Sequence, residues 1–264
     1  MLSYQHGFHA GNRADLLKHA VLYDILKTVS AGPRPILYVE THSGRGVYDL
    51  TGEQSRKGGE ADEGILDLID KKVPRPMREW VDFVRSKGIS AYPGSPALAQ
   101  SVLPANSRHV FFEKHPTEFA ELQKAIGNDD RSQIKRADGY AGALKLAPRA
   151  REQMVCFVDP SYETDRDIEA LAMWTPKALK RWPNAILILW LPLFRDQREI
   201  EFGEYLSSLE SGFISGARWP TDPMDETALE GTAIVAYRAP PECEAKGVAI
   251  QDALQSWWSN SGPR

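Results

Sequence analysis

The chain has 264 residues, 42% hydrophobic and 26% charged, enough for one large domain, or one with an insertion, to bury a core without covalent staples. Its 32 Lys and Arg against 36 Asp and Glu leave a formal charge of −4. That balance excludes a generally basic nucleic-acid binder, but not one with a local basic face.

In chain order, residues 14–28 have the apolar spacing of a helix, and PILYVE (35–40) is a short apolar run that ends in an acid before a Gly-rich turn. Residues 48–91 then carry no strand signal. Their apolar positions Ile65, Leu66, Leu68 and Ile69, then Trp80, Val81, Phe83 and Val84, suit two short amphipathic helices, so a small helical insertion is expected there. HVFFEK (109–114) repeats the apolar run with an acid, residues 117–126 are helical, and 133–136 suit a short strand. MVCFVDP (154–160) is the third acid-ended run, and AILILWLPL (185–193) is a fourth without the acid. Helices are expected over 168–182 and 198–209, and SGFISGARWP and GTAIVAYRAP suit an antiparallel pair closing the sheet. Short apolar runs alternating with helices predict an α/β fold, a doubly wound and mostly parallel sheet with an antiparallel terminal strand. The whole of 1–264 is then one domain, with 48–91 as its inserted helical subdomain.

In such a sheet, ligands bind beyond the carboxyl ends of the strands. E-T-H-S-G-R-G, from Glu40 to Gly46, offers Gly44 and Gly46 for a tight turn and close approach of a ligand. It is neither GxGxxG nor a P-loop. An acid, three residues and GxG is the loop pattern of S-adenosylmethionine methyltransferases; a structural glycine turn fits it equally well. Glu113 ends the second run, where carboxylates accept bonds from ribose hydroxyls, and a solvated strand-end charge is the competing reading. Asp138-Gly139 follows the short strand and suits either an adenine contact or a plain turn. Asp159-Pro160-Ser161-Tyr162 has the form of motifs that methylate exocyclic or amide nitrogens. An adenine amine is a poor nucleophile because its lone pair is delocalised into the ring. A carboxylate and a carbonyl accepting its two hydrogens favour the pyramidal, reactive form, and an aromatic ring stacks on the extruded base.

The block S-Y-Q-H-G-F-H-A-G-N-R-A-D-L-L-K-H (3–19) resembles the N-terminal signature of the RlmJ family, bacterial 23S ribosomal RNA adenine-N6 methyltransferases. E-T-H-S-G-R-G, Y-P-G-S-P (92–96), E-K-H-P (113–116), A-D-G-Y (137–140) and D-P-S-Y (159–162) are similar to that family's motifs, in its order. The resemblance implies a Rossmann-like methyltransferase fold with an inserted helical subdomain. It implies S-adenosylmethionine as cofactor, S-adenosylhomocysteine as product and 23S ribosomal RNA as partner. By position, His19, His42, Ser95, Glu113, Asp138, Gly139 and Asp159 would contact the cofactor, together with the loop glycines Gly44 and Gly46. Asp159, Pro160 and Tyr162 would be catalytic, with Tyr162 on the base. Tyr4 would meet the target adenosine and Lys18 would line the same entrance. Two departures stand out: Ser161 replaces the usual Pro and loosens the loop, and Glu40 replaces the usual Asp with its charge intact.

Other residues are read plainly. His6 and His9 lack converging ligands, so no metal is expected. Cys156 lies in a buried run and Cys243 in a polar tail, which excludes a disulfide framework. Trp257-Trp258 could stack on RNA or dock the C-terminal helix onto the core. Arg131, Lys135, Arg136, Lys145, Arg149 and Arg151, with Lys177, Lys180 and Arg181, are candidate phosphate contacts. No apolar run approaches the about 18 residues of a membrane span, and no signal peptide is seen, so a cytoplasmic monomer without a membrane partner is expected. Competing functions are DNA N6-adenine methylation, a catalytically weakened RNA-binding protein that keeps the cofactor site, and protein-glutamine methylation, where Asn usually replaces the Asp159 carboxylate.

Overall fold

The structure, a computed structural model, describes residues 6–162, 164–221, 224 and 229–261. Helix α1 (Arg13–Ser30) precedes β1 (Ile36–Glu40). A short β2 (Val47–Tyr48) leads into α2 (Glu53–Gly58), α3 (Ile65–Ile69) and α4 (Arg78–Lys87), and β3 (Tyr92–Pro93) closes this excursion by pairing antiparallel with β2. There follow α5 (Ser95–Val102), β4 (Arg108–Phe112), α6 (Pro116–Ile126), β5 (Ser132–Lys135), α7 (Gly139–Ala143) and β6 (Gln153–Val158). The chain ends with α8 (Asp165–Arg181), β7 (Ile186–Phe194), α9 (Ile200–Leu209), β8 (Gly212–Arg218), β9 (Leu229–Tyr237) and α10 (Pro241–Ser261).

Seven strands form one sheet in the order β5-β4-β1-β6-β7-β9-β8. Pairing is parallel from β5 to β7, and β9 runs antiparallel to both β7 and β8. The expected antiparallel pair is present, with β9 slotted between β7 and β8. This is the expected doubly wound, mostly parallel α/β sheet. Its strand order reverses between β1 and β6, so the crevice beyond these two strands is where a ligand fits.

Successive strand residues alternate between two cores, as strand geometry requires. Tyr38, Phe111, Phe157, Ile188 and Ile234 face α1, α5, α6 and α10. Val39, Val110, Cys156, Leu189 and Val235 face α7, α8 and α9. β1 is buried along its whole length, which explains its unbroken apolar run.

The excursion between β2 and β3 contains the two helices its apolar spacing predicts, α3 and α4, and adds α2. Ile65, Leu68, Trp80, Val81 and Val84 join one continuous apolar cluster with Leu16, Leu17 and Leu22 of α1. The insertion thus thickens the main core. Two glycines let it press on the N-terminal segment: a Cβ on Gly58 would stand 2.0 Å from the Phe8 carbonyl oxygen, and one on Gly64 would stand 2.0 Å from that of Gly11.

Two expectations change. Cys243 is 1% exposed in the first turn of α10, because the polar C-terminal stretch is a helix with one face on the core. Trp258 is buried on that face, with its ring 5.2 Å from Trp219. The basic residues divide by position in the sheet. Arg149 and Arg151 precede β6, and Lys177, Lys180 and Arg181 end α8, all at the amino end of the parallel strands. Arg131 is held by Asp129 and by the carbonyls of Gln100, Leu103 and Pro104. Lys135 and Arg136 remain at the carboxyl end. Among the described residues, no helix is long and apolar enough to cross a membrane.

Candidate active site

At the end of β1 the backbone leaves the sheet through Thr41, whose N–H still bonds Phe157 of β6 at 3.1 Å, and Ser43, whose N–H bonds Phe112 of β4 at 3.0 Å. Gly44 and Gly46 follow with φ of +59° and +80°, a region that strains any side chain. The Arg45 guanidinium binds both oxygens of buried Glu118, at 2.6 and 3.0 Å, and pins the loop to α6.

The Glu113 carboxylate accepts the N–H of Gly44 at 2.8 Å and that of His115 at 2.6 Å, so it braces the glycine loop from the next strand. Burial raises its pKa, and those two backbone bonds oppose the shift. Each oxygen retains a lone pair for a ligand hydroxyl. Asp138 caps α7 by accepting the N–H of Ala141 at 2.9 Å, while its other oxygen lies 3.9 Å from Lys114 Nζ. A Cβ on Gly139 would stand 1.9 Å from the Thr41 carbonyl oxygen, so α7 can close on the end of β1 only with glycine at this position. Burial pushes the His42 imidazole down to about 4, and its ring lies edge-on to Tyr140 at 4.9 Å.

The D-P-S-Y turn leaves β6 next to this loop. Tyr162 holds a φ of +51°, and its hydroxyl donates to the Trp190 carbonyl of β7 at 2.6 Å. The ring is thereby fixed edge-on to Trp190, 5.3 Å between centroids. Asp159 Oδ2 is 2.9 Å from Lys18 Nζ, contributed by α1. Lys18 is 2% exposed, lies 4.9 Å from the centre of the Trp190 ring, and is also 2.9 Å from Asp15 Oδ1. The neighbouring His19 Nδ1 meets the Tyr92 hydroxyl at 3.0 Å.

These groups surround one cavity of about 790 Å³, inside the range of about 300–1,000 Å³ typical of cofactor pockets. His19, His42, Gly44, Ser95, Glu113, Asp138 and Gly139 line it, together with Asp159, Pro160, Tyr162 and Lys18. Gly46 does not line it; its backbone packs toward Leu122 and Ile126 of α6, because the loop has already turned away. Glu40 is also outside the lining. It is fully buried between Ser95 and Tyr38, whose hydroxyls bond its two oxygens. Burial drives its pKa well above the usual carboxylate range, with the nearby Asp159 charge acting in the same direction. Tyr4 lies outside the described residues.

Several lining groups were not singled out from sequence. Asp15 and Trp190 stand in apolar or helical runs where nothing separates them from core residues. Arg13, Arg166, Phe194 and Trp219 also line the cavity, as do Glu60 and Glu63 between α2 and α3, and the Arg13 guanidinium lies 3.2 Å from Glu63 Oε2. His9 bonds Glu60 at 2.6 Å, so His9 serves to seat the N-terminal segment on the insertion. His9 and Glu60 both lie 51 positions apart in sequence, a pairing that no local pattern carries.

The cavity suits a nucleoside carrying a polar tail. Its walls combine carboxylates at three strand ends, glycine backbone at the turn, and two buried hydroxyls, Ser43 Oγ and Tyr140 Oη, that lack a hydrogen-bond partner among the described residues.

Residues 33–263 match the family described as "Ribosomal RNA large subunit methyltransferase D, RlmJ". The chain is 34% identical to Ribosomal RNA large subunit methyltransferase J of Escherichia coli, over 75% of this chain and 72% of that protein. It is 31% identical to the protein of the same name from Haemophilus influenzae, over 75% and 73%. A crystal structure of protein LPL1258 from Legionella pneumophila superposes with a TM-score of 0.84 at 25% identity, covering 95% of this chain and 94% of that one.

Proposed function

The chain belongs to the RlmJ family of ribosomal RNA large subunit methyltransferases, and we propose that it transfers a methyl group from S-adenosylmethionine to the N6 amino group of an adenosine in 23S ribosomal RNA. One observation carries the choice of an exocyclic amine: the Asp159-Pro160-Ser161-Tyr162 turn opens on the same cavity as the carboxylates and glycines at the ends of β1, β4 and β5.

S-adenosylmethionine, when bound, supplies an electrophilic methyl group. The chain's residues hold and orient. Glu113 is placed to accept ribose hydroxyls and Asp138 the adenine amine. The backbone of Gly44 and Gly139, with Ser95 and His42, borders the methionine half. His42 is neutral above about pH 4, so it meets the cofactor without repelling its positive charge. On the substrate side, Asp159 accepts one hydrogen of the target amine and the Pro160 carbonyl the other. This arrangement localises the nitrogen lone pair toward the methyl donor. The fixed ring of Tyr162 offers a stacking surface for the extruded base. In this reading the chain acts as a cytoplasmic monomer without a metal.

The test is methyl transfer from labelled cofactor to deproteinised 23S RNA, to duplex DNA and to single-stranded DNA in parallel. Incorporation into 23S RNA alone, recovered as N6-methyladenosine, is the expected result. Preferential labelling of DNA would transfer the assignment to a DNA methyltransferase. Cofactor binding without labelling of any acceptor would favour an RNA-binding protein that has lost turnover.

A further inference from the structure

Asp15 is a carboxylate with no exposed surface, on the first turn of α1. Its Oδ2 accepts the N–H of Gly11 at 2.8 Å. Its Oδ1 lies 2.9 Å from Lys18 Nζ and 3.9 Å from His19 Nε2. Lys18 continues the chain of contacts to Asp159 at 2.9 Å. A buried ammonium therefore stands between two carboxylates, one of which belongs to the D-P-S-Y turn.

Lys18 alone would fix Asp159 but also weaken it. A positive charge at hydrogen-bond distance occupies one lone pair and stabilises the carboxylate electrons against donation to the amine. A second carboxylate on the same ammonium offsets most of that field, because charge pairs at this distance interact strongly where water is excluded. The Asp15–Lys18 pair is then close to neutral as a unit, and Asp159 keeps its negative charge and its fixed orientation together.

We infer that Asp15 is a positioning residue for methyl transfer, acting through Lys18 to aim Asp159 while leaving its acceptor strength intact. The inference rests on the reading of Asp159 as the amine acceptor. Helix capping is the competing role, since Asp15 also bonds Gly11 and its own N–H bonds Asn12 Oδ1 at 3.0 Å. Charge separates the two roles. Asp15→Asn keeps an oxygen for Gly11 and the shape of the side chain, yet removes the charge facing Lys18.

In Asp15→Asn, kcat on 23S RNA is expected to fall about tenfold or more, as for misplaced reacting groups. Among the described residues, the charged and titratable groups near Lys18 include Asp15 and His19 on α1, Asp159 beyond β6 and Glu40 at the end of β1, with the Trp190 ring of β7 beside them. Loss of the Asp15 charge lowers the Lys18 pKa, so the alkaline limb of kcat moves to lower pH. In a Lys18→Met background, Asp15→Asn should cost nothing further. An unchanged kcat and pH profile would overturn the inference. So would a loss of the same size with Lys18 absent, which marks a capping role. Direct titration of the Lys18 side chain by NMR in the free protein keeps the two readings distinguishable. If the wild type does not methylate RNA, the functional reading fails. A Lys18 titration that Asp15→Asn leaves unmoved overturns the present inference whatever the substrate.

Discussion

Lys18 and Asp159 are 141 positions apart in the chain and meet at 2.9 Å inside the cavity. The contact ties the first helix to the D-P-S-Y turn across the strands between which the sheet order reverses. It fixes one carboxylate oxygen in place before any substrate arrives, which is how a polar site avoids reorganising at the moment of reaction. The Trp190 ring lies 4.9 Å from Lys18 Nζ, and the Trp190 backbone carbonyl accepts the Tyr162 hydroxyl. Acceptor, cation and stacking ring are thus held by a common set of neighbours.

Gly139→Ala tests how closely α7 approaches the end of β1. The added Cβ would meet backbone, the Thr41 carbonyl, at 1.9 Å, and backbone cannot swing aside. We expect a loss of about 1–3 kcal/mol of stability, the usual cost of overpacking. Cofactor affinity should fall at least about tenfold, because Asp138 and the glycine loop separate; a tenfold change is about 1.4 kcal/mol. Thermal unfolding and calorimetry with S-adenosylmethionine check both. Unaltered affinity would show that α7 does not border the cofactor.

Glu40→Gln tests the buried acid beneath Ser95. A carboxyl whose pKa is raised on folding binds more protons in the folded state than in the unfolded one. Its contribution is complete below the unfolded value of 4.5 and is lost as pH climbs toward the raised folded value. Glutamine keeps the shape and removes that loss, so the variant should match the wild type near pH 4.5 and exceed it at alkaline pH. Unfolding curves across this range decide; a variant less stable at every pH would mean that Glu40 is needed as an anion.

His109 carries the opposite sign. It is 1% exposed, and burial and the nearby Arg131 charge lower its pKa from 6.5 to about 4. Its stabilisation is complete above pH 6.5 and lost as pH falls toward 4. At about 1.4 kcal/mol per pKa unit, the loss approaches about 3 kcal/mol. His109→Gln starts less stable but should decline less over the same interval in urea unfolding. Parallel declines would contradict the assignment.

Sequence pattern located the strands and most helices well, because β1, β4, β6 and β7 are buried on both faces and stop at turn residues. It also located the carboxylates that follow those strands. What it does not carry is direction. Glu40 and Glu113 both end apolar runs, yet Glu40 turns under Ser95 while Glu113 turns toward the cavity. Gly44 and Gly46 are equivalent in the loop pattern, and only Gly44 borders the cavity. Position along the strand axis is equally hidden: Lys135 and Arg149 look alike in a basic stretch but sit at opposite ends of the sheet. Asp15 resembles any first-turn acid until Lys18 and Asp159 are seen around it.

The most direct test of the central claim is the yield of N6-methyladenosine, by nucleoside mass spectrometry, after single turnover on 23S RNA with wild type and Asp159→Asn. Asparagine keeps the size of the side chain and loses the charge that Lys18 holds in place. At saturating cofactor the wild type is expected to give stoichiometric N6-methyladenosine, and the variant a rate at least about a hundredfold lower. Methylation by Asp159→Asn at the wild-type rate, or a methylated nucleoside other than N6-methyladenosine, would contradict the claim.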